Sequence, residues 1–351
     1  MLKRLLQALC LTTPLAALVI GFSGCCQAPA PLPPADSDGY LLCFWNVENL
    51  FGDRLDHREN KADQEYDEWF AQDHEALRLK LDHVSDALMK LNDGRGPDII
   101  ALAEVESVRA AELLQEALNQ KVSDPSLRYE KLLMKEMVAG RHIAPAIITR
   151  LPVARDRTRL HGSRLRILEG HIGVRGHDLV VLVTHWTARV TDEHGEHRDK
   201  YGDQIYGLFK GMHKSEPKVD MLICGDFNDP PEAPSVTKHL HAVGNLESVL
   251  HPVDGPYLFD LFANKDPGAN LGTHFYGNKW FTFDQVVVSP GLLDEHGWAC
   301  EPGSAQVVNT LVRPGDAKRR PWRFGNKHDR SARGYSDHFP VTVRLRVYDE
   351  G

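Results

Sequence analysis

Asp226 and Asn228 sit two residues apart in Gly225-Asp226-Phe227-Asn228, directly after the apolar run 219–224. The run reads as a buried strand, and in extended backbone residues i and i+2 lie on one side. The two side chains can therefore address one reacting centre. Asp226 would orient a water or take its proton, and Asn228 would donate hydrogen bonds to developing charge. Such a pair aims water at phosphorus or carbon. Asp and Asn are also ordinary turn residues, and Pro230-Pro231 follows, so the pair gains meaning only from its company.

That company is consistent along the chain. Residues 40–45 run into Asn46 and Glu48, residues 98–103 into Glu104, and residues 178–184 into His185. Asp284 comes early in the run 281–289, and Asp337 and His338 stand immediately before the run 339–347. Strand ends that share one rim would bring these side chains together. Glu104, Asp337, Asn46 and Glu48 offer oxygen ligands, which suit Mg²⁺ or Mn²⁺ better than Zn²⁺. His338 beside Asp284 would be a carboxylate-oriented imidazole, and His185 a second donor to an anionic oxygen. The set suits phosphoryl chemistry: a cation, a positioned water and donors for the negative oxygens.

The elements that must hold these residues are legible as well. Strands are expected over 40–45, 98–103, 144–149, 178–184, 219–224, 282–289 and 339–347; the last alternates Val341, Val343, Leu345 and Val347 on one face. Leu77, Leu81, Val84, Leu88 and Leu91 recur at helical spacing and stop at Asn92-Asp93-Gly94, and Ser107 can cap a helix running through Leu118. Mixed strands and helices in this order predict a layered α/β domain over residues 39–351.

With 351 residues, 42% of them apolar, the chain can build a large core. Its net charge of −8 excludes nonspecific coating of nucleic acid. Lys318, Arg319, Arg320, Arg323 and Lys327 form a local basic cluster, which reads as a solvated face. Residues 1–25 read as a signal of bacterial lipoprotein type. Lys3 and Arg4 precede an apolar stretch, and Phe22-Ser23-Gly24 leads into Cys25, the residue that would carry the lipid. Residues 26–38, rich in proline, read as a tether. The expected location is therefore outside the cytoplasm, on the outer membrane or cell surface of a bacterium. Cys43 and Cys224 lie in apolar runs and read as inert buried thiols, with no CxxC metal site. His194 and His197 fall in a polar stretch that reads as a solvated loop, and Trp186 and Trp280 read as core. Arg189 could reach a phosphate or stay at the surface.

At these residues the chain resembles the endonuclease/exonuclease/phosphatase superfamily, the DNase I-like fold. The matching pieces are Phe44-Trp45-Asn46-Val47-Glu48-Asn49, Ala103-Glu104, Thr184-His185-Trp186, Gly225-Asp226-Phe227-Asn228, Phe283-Asp284-Gln285 and Ser336-Asp337-His338, in the family's order. The resemblance implies a four-layer α/β/β/α sandwich with two mixed sheets face to face. It implies Glu104 as principal metal ligand, helped by Asn46, Glu48 and Asp337, and Asp226 as the residue that orients the water. It further implies Asn228, His185 and the Asp284–His338 pair as phosphate contacts. Ala103 stands where the family often has Gln, and only Tyr129 lies between Glu104 and His185. Both departures weigh against abasic-site repair. The expected activity is metal-dependent hydrolysis of a phosphodiester, nucleic acid included, by a monomer. A sphingomyelinase-like or inositol-phosphate-directed enzyme, and a surface binding lipoprotein without catalysis, are the alternatives.

Overall fold

Each expected apolar run is a strand in the computed structural model, which describes residues 39–264, 272–329 and 333–348. The signal and the tether lie outside the described residues, and no described helix is long and apolar enough to cross a membrane. Sheet one runs β14 (Gly297–Cys300), β16 (Val341–Tyr348), β1 (Gly39–Leu50), β2 (Ile99–Val105), β4 (Ala144–Thr149), β3 (Lys131–Met134), with β15 (Gln306–Val307) also on β16. Sheet two runs β5 (Arg159–His161), β6 (Ile167–Val174), β7 (His177–His185), β8 (Met221–Asp226), β13 (Asp284–Val288), β10 (Leu258–Asp260), β9 (Ala242–Val243). Strands β11 (His274–Tyr276) and β12 (Lys279–Phe281) form a separate hairpin.

Burial on both faces explains the continuous apolar runs. From β1, Leu42 and Phe44 enter a core between the sheets, where Val181, Val183, Leu222 and Cys224 meet them. Cys43, Trp45 and Val47 point the other way, against α1 (Lys61–Gln72), α2 (His74–Met89) and α3 (Val108–Gln120). Beyond sheet two, Leu182 and Ile223 pack on Tyr201, Ile205 and Phe209 of α4 (Glu196–Ser215); a short α5 (Leu246–Leu250) follows. The result is helix, sheet, sheet, helix. Each large apolar side chain so buried contributes roughly 1.5–3 kcal/mol.

The expected helix face is found in α2, which buries Leu77, Leu81, Val84 and Leu88; Leu91 falls beyond its end, where Asn92, Asp93 and Gly94 all take positive φ. Ser107 caps α3, its Oγ accepting from the Ala110 amide at 3.2 Å. The polar stretch holding His194 and His197 leaves both exposed, but its second half is already α4. Asp192 makes that start, accepting from the His197 and Arg198 amides at 3.1 Å each. Cys43, Cys224 and Cys300 are buried and unbridged.

A polar network lies on β6, on the face turned from the inter-sheet core. Glu169 accepts from His161 at 2.7 Å and from buried His171 at 3.1 Å, while the other ring nitrogen of His171 lies 2.9 Å from Asp178. A neutral imidazole carries one N–H, so both contacts are satisfied only when His171 is cationic. Burial disfavours that charge, but Asp178 and Glu169 outweigh it and hold His171 above its usual 6.5. Burial likewise opposes the Glu169 carboxylate, yet His161 and His171 bring it down to about 2 from 4.5. The His171 contribution to stability is full below the unfolded value of 6.5 and fades as pH rises through the folded one; that of Glu169 is full above 4.5 and fades toward 2. Both operate together between these limits. His171→Gln should therefore lower Tm most at about pH 5.5 and least at about pH 9. A Tm difference that does not depend on pH would contradict this.

Candidate active site

Three adjacent strands of sheet two put a functional side chain at one level. Asp226 ends β8, where it is paired in register with His185 of β7 and with Asp284 of β13. Sheet one contributes from the facing rim. Its ladders break register between Asn46 and Leu50 and between Leu102 and Val105, and these bulges re-aim Glu48 and Glu104. Glu48, Glu104 and Asn228 hold positive φ of 50°, 65° and 51°. Backbone in this region costs on the order of 1 kcal/mol per residue, and such costs gather at sites where side-chain direction matters.

Asp226 is the hub. Its Oδ1 accepts from the Asn228 amide at 2.9 Å, and its Oδ2 accepts from Asn46 Nδ2 at 3.0 Å. The Nε2 atoms of His185 and His338 each lie 3.7 Å from Oδ2. Burial raises the Asp226 carboxyl to about 7, against the pull of His338. A base with that value is half available at neutral pH.

The two imidazoles differ in charge. Arg166 lies 3.2 Å from His185 Nδ1. A guanidinium has no acceptor, so Nδ1 accepts and the ring proton sits on Nε2, toward Asp226 and Glu104. Burial and the Arg166 charge keep His185 well below the ordinary value, hence neutral. His338 is the opposite case. Burial would lower it, but Asp284, whose Oδ2 lies 2.7 Å from Nδ1, and Asp226 hold it well above the ordinary value. His274 stacks on His338 with ring centres 4.2 Å apart, and its Nδ1 donates to the Asp337 carbonyl at 2.9 Å. Burial, then the neighbouring His338 charge, lowers His274 to about 4.

Not every expected ligand is free to bind a cation. Asn46 Oδ1 accepts from the Glu48 amide at 3.1 Å, which turns its Nδ2 toward Glu104 and Asp226 and leaves one lone pair of Oδ1 to offer. Glu48 is committed to Arg323, at 2.6 and 2.9 Å, and to the Phe324 amide at 2.8 Å. It is a strut for the 323–325 segment. Arg323 is tied to Glu48 although its side chain remains 55% exposed.

The remaining oxygens fit a hard divalent cation. Glu104 and Asp337 present side chains 15% and 33% exposed, and Glu104 is fixed by the Asn49 amide at 2.9 Å. The closest three-residue sets of acids and imidazoles among the described residues are His274–Asp337–His338 and Asp226–Asp284–His338. Neither contains Glu104, and both include the His338 cation. Carboxylate oxygens are the donors a hard divalent cation takes, and Glu104 and Asp337 are the residues that could offer them.

Asn228 lines the pocket and donates to the Trp186 carbonyl at 3.1 Å. Arg189 lines it too while pairing with Asp229 at 2.8 Å. Trp186 is core, stacked on Phe227 at 4.5 Å. Tyr129 is buried, its hydroxyl on the Pro97 carbonyl at 2.8 Å, and is not in the pocket lining. Arg166 and His274 are both missed by the sequence reading, and Arg166 carries no signal beyond its type. His274 alone had a clue: it stands in Thr273-His274-Phe275-Tyr276, shortly before Asp284.

A profile described as the Endonuclease/Exonuclease/phosphatase family matches residues 153–347. No curated protein sequence matches the chain. Among solved structures, an endonuclease/exonuclease/phosphatase family protein from Bacteroides thetaiotaomicron superposes with TM-score 0.52 at 16% identity, covering 89% of this chain and 98% of its own. A mannosyl-6-phosphatase from the same organism superposes with TM-score 0.51 at 15% identity, covering 87% and 99%. At these identities the likeness is one of fold, and the fold is the DNase I-like sandwich.

Proposed function

The chain belongs to the endonuclease/exonuclease/phosphatase family, and on that premise we propose that it is a divalent-metal-dependent phosphodiesterase. The observation that carries this reading is a buried carboxylate flanked, at 3.7 Å each, by one neutral and one cationic imidazole. A base, a neutral donor and a positive donor around one point are what an in-line attack of water on phosphorus requires.

A cation at Glu104 and Asp337 would neutralise charge on the phosphate oxygens. Asp226 orients the water and receives its proton. Asn228 has one amide hydrogen beyond the Trp186 contact to offer the phosphate. His185 donates from Nε2 to a non-bridging oxygen. His338, held as imidazolium by Asp284, faces the leaving oxygen and stabilises its charge. Among the described residues the pocket lining has no Ser, Thr or Cys to act as a nucleophile, which favours direct hydrolysis without a covalent intermediate.

A second cavity of about 470 Å³ adjoins the site, sharing His274 and Tyr276 with it, and carries Arg313, Arg320 and Arg323. Arg320 is paired with Asp316 and Arg323 with Glu48, which leaves Arg313 as the cation without an ion pair among the described residues. A substrate with a group beyond the scissile phosphate would use this space, whereas a small monoester would not. Tyr276 is 56% exposed at the shared lip and offers a stacking face. A lipid-directed reading finds less support. In the β11–β12 hairpin Phe275 lies under Lys318 and Arg320, and Trp280 packs on Phe339 at 6.0 Å, so of Phe275, Tyr276 and Trp280 only Tyr276 stands out from the fold.

The test is a panel with Mg²⁺ or Mn²⁺: bis-p-nitrophenyl phosphate, p-nitrophenyl phosphate, a short oligonucleotide and phospholipid vesicles. Diesters should be hydrolysed faster than the monoester and the vesicles. Tyr276→Ala with Arg313→Ala should cost about tenfold in kcat/KM on the oligonucleotide and little on bis-p-nitrophenyl phosphate. Preference for the monoester would overturn the reading.

A further inference from the structure

Asp337 and His338 reach the site on a short segment whose chain is held largely by side chains from elsewhere. Its backbone pairing is sparse: an isolated bridge joins His274 to His338, and the Gly334 and Tyr335 amides donate to the Arg323 and Trp322 carbonyls. The carbonyl of Asp337 accepts from His274, and that of His338 from Trp45 Nε1 at 2.9 Å. Ser336 Oγ donates to the Asn46 carbonyl at 2.6 Å and accepts from the His338 amide at 3.1 Å.

The other end of the segment is held by α2. Lys80, with no exposed surface, donates from Nζ to the Tyr335 carbonyl at 2.7 Å and lies 4.9 Å from the centre of the Phe324 ring. His83, three residues on and so on the same helix face, holds the Gly334 carbonyl at 2.6 Å and packs its ring, tilted by 40°, against Tyr335 at 5.4 Å. No carboxylate lies within ion-pair distance of Lys80 among the described residues. Burying an ammonium with a carbonyl and a ring as neighbours is costly. The charges that attract it are those of Glu48, Asp337 and Glu104.

We propose that Lys80 and His83 are positioning residues that lock the 334–338 segment from below, with the Lys80 ammonium also a fixed counter-charge beneath the carboxylates of the site. Lys80 touches no reacting atom in this assignment. It acts through the Tyr335 carbonyl, setting where Asp337 and His338 emerge. The assignment builds on the site described above, but its primary readout needs neither substrate nor metal.

Hydrogen exchange of the full chain, free of added metal, tests it. In Lys80→Met the amides of 335–338 should exchange about tenfold faster, while those of β8 keep their rates. Lys80→Arg, which can still donate to the Tyr335 carbonyl, should restore most of the protection. On bis-p-nitrophenyl phosphate, Lys80→Met should lower kcat about tenfold with KM little changed, and Lys80→Arg should recover it. Unchanged exchange at 335–338, a uniform rise across the fold, or equal loss in Met and Arg variants would overturn the proposal. If Lys80→Met does not fold, His83→Gln serves: faster exchange confined to 334–336 supports the assignment, and unchanged exchange there refutes it. Inactivity of the wild type on every phosphoester would sink the phosphodiesterase reading and leave this result standing.

Discussion

Asp226→Asn should reduce kcat by about two orders of magnitude or more, on the order of 3 kcal/mol of transition-state stabilisation. The substitution keeps the shape and removes the charge. Asn228 can still donate to the remaining oxygen, so the turn after β8 should survive, but the new amide group confronts Asn46 Nδ2 where an acceptor stood. What disappears is the one carboxylate among the described residues that lies 3.7 Å from both imidazoles and can receive a proton from water. Affinity for Mn²⁺ should change little, since Glu104 and Asp337 are the proposed ligands. Steady-state kinetics with a parallel calorimetric metal titration check both halves. A variant within tenfold of wild type in kcat would remove Asp226 from the chemistry.

Asp284→Asn should cost about 10²-fold in kcat and move the alkaline limb of the pH–rate profile to lower pH. The sign follows from the charges. His338 is lowered by burial and raised above its ordinary value by Asp284 first and Asp226 second. Without the Asp284 charge the imidazolium loses its proton at lower pH, so the active form disappears earlier as pH rises. Asp284 has a second effect to lose, since its charge also helps to raise the Asp226 carboxyl. His338→Gln should remove the alkaline limb altogether. A limb that stays in place in Asp284→Asn would show that His338 is not the group that titrates there.

Much of this site was legible in the sequence because its residues sit at the ends of strands buried on both faces. Such strands read as unbroken apolar runs, and the first polar residue after each is conspicuous. His185 was found that way and Asp226 just after such a run, Asp284 and His338 from their places at the start of theirs, and the fold brings all four together. Type and spacing do not report what else a side chain already holds. Asn46 and Glu48 carry the right oxygens, but the Glu48 amide engages that of Asn46, and Arg323 with Phe324 takes those of Glu48. Those partners lie 275 residues and more from Glu48 along the chain, beyond any local pattern. Helix α4 was hidden for another reason. It buries only Arg198, Tyr201, Gly202, Ile205 and Phe209 of its 20 residues, so its apolar stripe is too thin to outweigh the charges around it.

The pairing of β16 with β1 ties the two ends of the described fold together. The first strand of sheet one is completed by the last, and the segment entering that last strand delivers Asp337 and His338. A truncation that removes β16 would therefore take away one of the two neighbours of β1 and release the segment that carries both side chains.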